Sequence, residues 1–204
     1  MANEISYFGL RPVRHINGSA WNGATEKCWV GSDYTVALYV GQTVMISTDA
    51  SESHAFARFT SIEAAAHTDG SPIYGVITSF DNMQDKSTSL LYKPASTDAF
   101  VNVCVDPTVV YHCRDDGSSV PDATWPFLNA DFVDAGGSAI TGLSGIGIAG
   151  DSHNVDQSNP VLILRMADLP NNALSINAIW EVMINTHQLL NGGVVGNALG
   201  VAKA

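Results

Sequence analysis

The chain has 204 residues, and its 20 acidic and 9 basic residues give a formal net charge of −11. Only 14% of the residues are charged, whereas 46% are hydrophobic, which is enough apolar material for a packed core and excludes a disordered acidic chain. Proteins that bind nucleic acid need clustered Lys and Arg to contact the phosphate backbone. The composition therefore argues against a nucleic-acid partner.

The beginning of the chain and its apolar runs bear on its location. The first residues contain no basic segment followed by an apolar run, so no signal peptide is expected. The longest apolar run, residues 161–164, is far shorter than the ~20 residues of a membrane-spanning helix. We therefore expect synthesis in a cytoplasm and no membrane partner.

Short strand patterns follow one another from about residue 27. They are separated by Gly, Pro and Asp turns at roughly ten-residue spacing, and no window of eleven residues shows a helical stripe. This pattern predicts an all-β fold, a sandwich or a barrel. The clearest strand patterns cover residues 36–40, 43–47, 73–80, 100–105, 109–113, 161–166 and 179–185.

The composition shows one body with two distinct ends. We expect an all-β body over residues 26–190, an extended N-terminal arm over residues 1–25 and a Gly/Ala-rich C-terminal tail over residues 191–204. The arm lacks periodic structure but carries apolar side chains, which on an extended segment usually bury against something. We therefore expect the arm to reach away from the body and dock on a neighbour.

The three cysteines, Cys28, Cys104 and Cys113, are too few for a disulfide framework and leave at least one thiol free. A turn predicted at residues 106–107 would make residues 100–105 and 109–113 a hairpin. In that hairpin Cys104 and Cys113 are not cross-strand neighbours. We expect all three thiols to be reduced and packed as small apolar groups.

Two motifs could indicate a cofactor. Residues 145–150 match the dinucleotide pattern G-x-G-x-x-G, which requires a strand before it and a helix after it. A polar loop with two aspartates follows instead, so a glycine-rich turn is the expected structure. None of the six His residues stands at metal-ligand spacing from another. We therefore expect neither a nucleotide nor a metal, and no cofactor.

Two further residue sets suggest other functions. The four tryptophans could form a platform for sugars, although Trp180 on an alternating strand is expected in the core and Trp125 in a packed loop. Paired acids such as Asp115 and Asp116 could serve a dispersed hydrolase site, but their Gly/Pro-rich context is typical of solvated turns. A β-sandwich module that binds carbohydrate on a host surface is the main alternative function.

The N-terminal residues hold a local basic cluster, formed by Arg11, Arg14 and His15. In a chain of net charge −11, such a cluster is better suited to an acidic protein surface than to nucleic acid. We expect these side chains to meet carboxylates of a partner.

Several segments in order along the chain resemble a family of tailed-bacteriophage head decoration (capsid cement) proteins. The resemblance spans nearly the whole chain. Two positions depart from the family pattern: Gln42, where Asp is commoner, and Thr186, where a second Asn is expected. The similar segments are Phe8-Gly-Leu-Arg-Pro-Val-Arg14, Trp21-Asn-Gly23, Val40-Gly-Gln-Thr-Val44, Tyr74-Gly-Val-Ile77, Tyr92-Lys-Pro-Ala-Ser96, Val105-Asp-Pro107, Thr141-Gly-Leu-Ser-Gly145 and Trp180-Glu-Val-Met-Ile-Asn-Thr-His-Gln-Leu189.

The resemblance implies a structural protein without catalytic residues. It implies a jelly-roll-like body that forms a homotrimer on the outer surface of an icosahedral virion and binds the major capsid protein. Exposed strand edges suit such an oligomer, because neighbouring subunits cover them. The residues that we expect at the protein interface are those of the arm: Phe8, Leu10, Arg11, Val13 and Arg14.

Overall fold

The computed structural model describes residues 3, 6–47, 59–68, 70–81 and 91–191. Within these residues the fold is all-β, as the sequence predicts, and the only helix is the four-residue α1 (Gln188–Asn191). No helix of the described part is long and apolar enough to cross a membrane. The strands are β1 (Arg11–His15), β2 (Glu26–Val30), β3 (Thr43–Ile46), β4 (Thr60–Ala64), β5 (Gly75–Asp81), β6 (Ala99–Cys104), β7 (Val109–Arg114), β8 (Asn129–Ala130), β9 (Phe132–Gly137), β10 (Ser144–Ile148), β11 (Val161–Met166) and β12 (Ile179–Ile184).

Five strands form a closed barrel in the order β2-β4-β3-β5-β6. Its interior is a separate apolar cluster that includes Cys28, Val44 and Val101, each fully buried. β5 and β6 approach closely at Gly75, where an added Cβ would lie 2.4 Å from the carbonyl oxygen of Cys104. Only glycine fits this crossing without a shift of the backbone.

Five other strands form an open sheet in the order β1-β7-β12-β11-β8. Alternate residues of β12, Trp180 and Val182, point into a second core, where the Trp125 ring stacks on Trp180 with centroids 5.3 Å apart. The two-stranded sheet β9-β10 supplies Phe132 and other side chains to the same core. The expectations that Trp180 lies in the core and that Trp125 lies in a packed loop are both confirmed.

The predicted hairpin between residues 100–105 and 109–113 is wrong. β6 pairs with β2 and β5 in the barrel, whereas β7 pairs with β1 and β12 in the open sheet. The turn at Asp106 therefore carries the chain from one sheet to the other. The cysteines are all free and buried, as expected, and burial raises the pKa of Cys28 and Cys113 to about 12.

The predicted N-terminal arm is also wrong in its placement. Residues 11–15 form β1, which pairs antiparallel with β7 and so belongs to the body. Pro12 cannot donate a hydrogen bond, and it is tolerated here because β1 lies at the edge of the sheet. The side chain of Asn3 accepts a hydrogen bond from Ala173 N at 3.0 Å, so contact with the body extends to this residue.

The glycine-rich run of residues 145–150 is not the turn that we predicted, because most of it belongs to β10. Gly145 allows a close approach of two strands: an added Cβ would lie 2.1 Å from the carbonyl oxygen of Gly136. Of the predicted tail, Asn191 ends α1 and residues 192–204 lie outside the described part of the chain.

Two ionisable side chains, those of Lys93 and His187, are fully buried. The Lys93 ammonium donates to the carbonyl oxygens of Tyr34 at 3.1 Å and Pro94 at 3.3 Å. His187 Nδ1 accepts from Leu189 N at 3.2 Å, and burial lowers the pKa of His187 from 6.5 to about 4. Both side chains are therefore parts of the packing rather than surface charges.

Candidate interaction surface

Four polar residues lie side by side across the outer face of the open sheet. Arg11 on β1 pairs with His112 on β7, His112 pairs with Glu181 on β12, and Glu181 pairs with Arg165 on β11. Residues directly opposite each other in a sheet project from the same face. These four residues, which we call the arginine row, therefore share one surface.

Glu181 is the centre of the arginine row. Its Oε2 lies 2.5 Å from Nη2 of Arg14 and 2.8 Å from Nε of Arg165, and its side chain is 8% exposed. Burial alone would raise the pKa of Glu181, but the hydrogen bonds from Arg165 and Arg14 outweigh it and lower the pKa to about 2. Glu181 is therefore ionised throughout the physiological range.

The surroundings of the arginine row carry a positive charge. Three arginines, Arg11, Arg14 and Arg165, stand there against two acids, Glu181 and Asp168, the second of which interacts with Arg165. Burial is the main cause that lowers the pKa of His112. Arg11 is exposed, and Arg165 keeps 62% of its side chain in solvent. The row is a basic site on a chain whose net charge is −11.

A groove of about 490 Å³ begins beside Arg11. Its volume falls within the range of about 300–1,000 Å³ that is typical of ligand pockets. The lining is mostly apolar, and Arg11 supplies its one formal charge. The groove, as we call it below, is lined by Phe8, Leu10, Arg11, Pro12, Trp21, Val40, Ile77, Thr78 and Leu143.

Four separate segments of the chain meet at the groove through backbone hydrogen bonds. Leu10 N donates to Gly41 O at 2.8 Å, and Gly41 N donates to Ile77 O at 2.8 Å. Val40 N donates to Gly142 O at 2.9 Å. The four segments, which are distant in sequence, are therefore neighbours in space.

The segment over residues 115–160 is strongly acidic, since it contains seven Asp and no Lys, Arg or Glu. Several of these aspartates close turns. The Asp116 carboxylate accepts from Ser118 N at 3.0 Å, and the Asp156 carboxylate accepts from Ser158 N at 2.9 Å. The prediction of a turn is confirmed for Asp116. The prediction of a solvated turn is wrong for Asp115, which is fully buried and accepts hydrogen bonds from Asn177 N at 2.7 Å and Gly117 N at 2.9 Å.

The five residues expected at an interface have different environments. Arg11 is exposed, whereas Phe8 and Val13 are half-buried. Leu10 is 1% exposed and belongs to the core. The expectation that Arg14 meets a partner carboxylate is corrected, because Arg14 pairs with Glu181 of the same chain.

The sequence reasoning missed His112, Glu181 and Arg165 as surface partners of the N-terminal arginines. They lie about 100 or more residues further along the chain, and only the strand pairing brings them together. Alternation along residues 179–185 did place Glu181 opposite Trp180. Alternation shows which face of its strand Glu181 lies on, but it does not show which strand is the neighbour.

The tryptophans form no exposed platform. Trp29, Trp125 and Trp180 are 5%, 1% and 1% exposed, and Trp21 is half-buried at the groove. Sugar stacking requires an accessible ring face, so these residues lend no support to carbohydrate binding.

Within the described residues, no group of three or more His, Cys, Asp or Glu is placed to hold a metal ion. Comparison of the chain with protein-family models, with curated proteins and with solved structures gives no match. The surface features above therefore carry the functional argument.

Proposed function

We propose that the protein is a structural virion protein, a decoration or cement protein on the outside of an icosahedral phage head. In this role it binds the major capsid protein as a homotrimer and stabilises the head. It is made in the host cytoplasm and performs no catalysis.

The observation that carries the proposal is the groove. The segments that resemble the decoration family are distant in sequence, yet four of them join there by hydrogen bonds between Leu10, Gly41, Ile77, Val40 and Gly142. The resemblance thus coincides with a structural unit.

The charge of the molecule supports the same role. At −11 the protein would not compete with the shell for packaged DNA. The exposed positive site at the arginine row offers a defined contact for carboxylates. A cement protein needs such a contact, because it must recognise a shell without binding its contents.

The proposal is tested on particles of the phage that encodes the chain. Heads assembled without this protein are incubated with purified protein and sedimented, and the bound copies are counted and located by cryo-electron microscopy. We expect saturable binding at repeated positions on the outer surface and greater resistance of the heads to heat. Absence of binding to such heads would contradict the proposal.

A further inference from the structure

Phe127 combines two features that are unfavourable for an isolated subunit. Its φ is +66°, a conformation that strains a bulky L-residue, and its side chain is 51% exposed. The strain is not needed to bury the ring, because the ring is in water. Strained residues persist where the surroundings hold them, and they concentrate at functional sites.

Further apolar side chains surround Phe127. Asn129 pairs with Asn154 in an antiparallel bridge, which brings the next residues, Leu128 and Val155, opposite each other. Val155 is 57% exposed and Leu128 is half-buried. Phe127 precedes Leu128 directly in the chain, and we call Phe127, Leu128 and Val155 together the Phe127 knob.

The rim of the Phe127 knob is acidic. Asp156 follows Val155 directly and is exposed, and Asp122 closes the exposed turn that leads to Trp125. The whole segment over residues 115–160 lacks Lys and Arg. A partner for this knob must offer an apolar recess with a cation at its edge.

The groove of the same chain has those properties. Leu10, Trp21 and Val40 contribute apolar lining, and Arg11, an exposed member of the arginine row, also lines the groove. Its volume of about 490 Å³ is large enough for an aromatic ring and a neighbouring aliphatic group. The Phe127 knob and the groove are both apolar and carry opposite charge beside them, and they are different surfaces of one chain.

We propose that the Phe127 knob of one copy inserts into the groove of the next copy, with its aspartates facing Arg11. This inference rests on the proposed homotrimer and specifies its interface. Because the two contact surfaces differ, the contact is heterologous, and repetition around an axis closes a ring. Phe127 is then the anchor of the interface, as exposed aromatic side chains commonly are.

The first test measures the mass of the particles in solution by light scattering after gel filtration. We expect the wild type to be a trimer, and Phe127→Ser and Arg11→Glu each to shift it towards monomer at least tenfold in association constant. Leu174→Ser is the matched control, since Leu174 is 47% exposed on the loop between β11 and β12. It should leave the trimer intact.

The second test mixes the two variants at equal concentration. Phe127→Ser keeps its groove and Arg11→Glu keeps its knob, so one contact can form and the mixture should contain heterodimers that do not close. An interface that used the same patch on both copies would give no such recovery. Circular dichroism and melting temperature confirm that each variant is folded.

A third variant tests whether the strained Phe127 is needed for the fold or only for association. Phe127→Gly should melt at the same or a higher temperature as a monomer, because glycine adopts φ of +66° without strain, and it should still fail to associate. A trimer that persists in Phe127→Ser, or a wild type that stays monomeric, overturns the inference. Head binding by a monomeric wild type would leave the proposed decoration function standing, so the two failures are distinguishable.

Discussion

Replacing Glu181 by Gln tests whether the ion pairs of the arginine row stabilise the fold. The Glu181 side chain is 8% exposed and contacts both Arg14 and Arg165. Its pKa falls from 4.5 to about 2 on folding. The full pKa shift corresponds to about 3 kcal/mol of stabilisation. Arg165 is exposed, and water screens its part of this stabilisation. We therefore expect Glu181→Gln to lower the free energy of unfolding by about 2 kcal/mol.

The effect depends on pH with a defined sign. The unfolded chain protonates Glu181 as the pH falls through 4.5, whereas the folded chain does so only near 2. The stabilisation is therefore complete above pH 4.5 and is lost as the pH falls towards 2. The difference between wild type and Glu181→Gln should shrink by more than half between pH 7 and pH 3.

Urea unfolding followed by tryptophan fluorescence measures the free energy of unfolding at both pH values. Asp168→Asn is the control, because Asp168 interacts with the exposed Arg165 but does not contact Arg14. Equal urea midpoints for wild type and Glu181→Gln at pH 7 would refute the reasoning. So would a difference that is the same at pH 3 and pH 7, since it would not come from ionisation.

Three further substitutions test packing inside the body. The buried His187 has a pKa of about 4 in the folded chain and 6.5 in the unfolded chain, so the melting temperature should fall as the pH drops from 6.5 to 4. This fall should be smaller in His187→Gln, and an unchanged pH profile would contradict the reasoning. Gly75→Ala should lower the free energy of unfolding by about 1–3 kcal/mol in urea, because its Cβ would meet Cys104 O. Lys93→Met should cost about 3 kcal/mol in the same assay, since it strands buried carbonyl oxygens, and a midpoint within error of wild type would count against the role of Lys93.

Local patterns were sufficient to predict the fold class. Alternation along residues 179–185 correctly places Trp180 and Glu181 on opposite faces of β12, and the turn-rich spacing indicates an all-β chain. These signals work because the side chains of a strand alternate between two faces. The two-residue alternation and the composition of a segment depend on its local conformation and on which of its side chains are buried, so they predict only these two properties.

Pairing between strands was not predictable in the same way. The turn at Asp106 looks like a hairpin turn, because Asp-Pro punctuates two strands, yet β6 and β7 enter different sheets. Likewise β1 was interpreted as part of an arm, because its partner β7 lies about 100 residues away in sequence. The choice of partner depends on which apolar faces must share a core, and a single sequence does not display this.

For the candidate surface too, local features were predictable from the sequence, whereas contacts made by strand pairing were not. Arg11 and Arg14 were identified from their cluster, but Glu181 and Arg165 join them only through strand register. Phe127 was not singled out, because its positive φ has no signature in sequence; Pro126 before it is compatible with several turns. Asp116 was correctly assigned to a turn, since its bonding to Ser118 is local, whereas the burial of Asp115 depends on distant residues such as Asn177.

The position of β1 has a consequence for the order in which the chain can assemble. All strands of the barrel, residues 26–104, lie between β1 and its partner β7. During synthesis the barrel can close from residues already made, whereas β1 has no partner until residues 109–114 emerge. β1 is thus translated before the barrel strands but is paired only after them, and the barrel is in effect an insertion that folds inside an unfinished sheet.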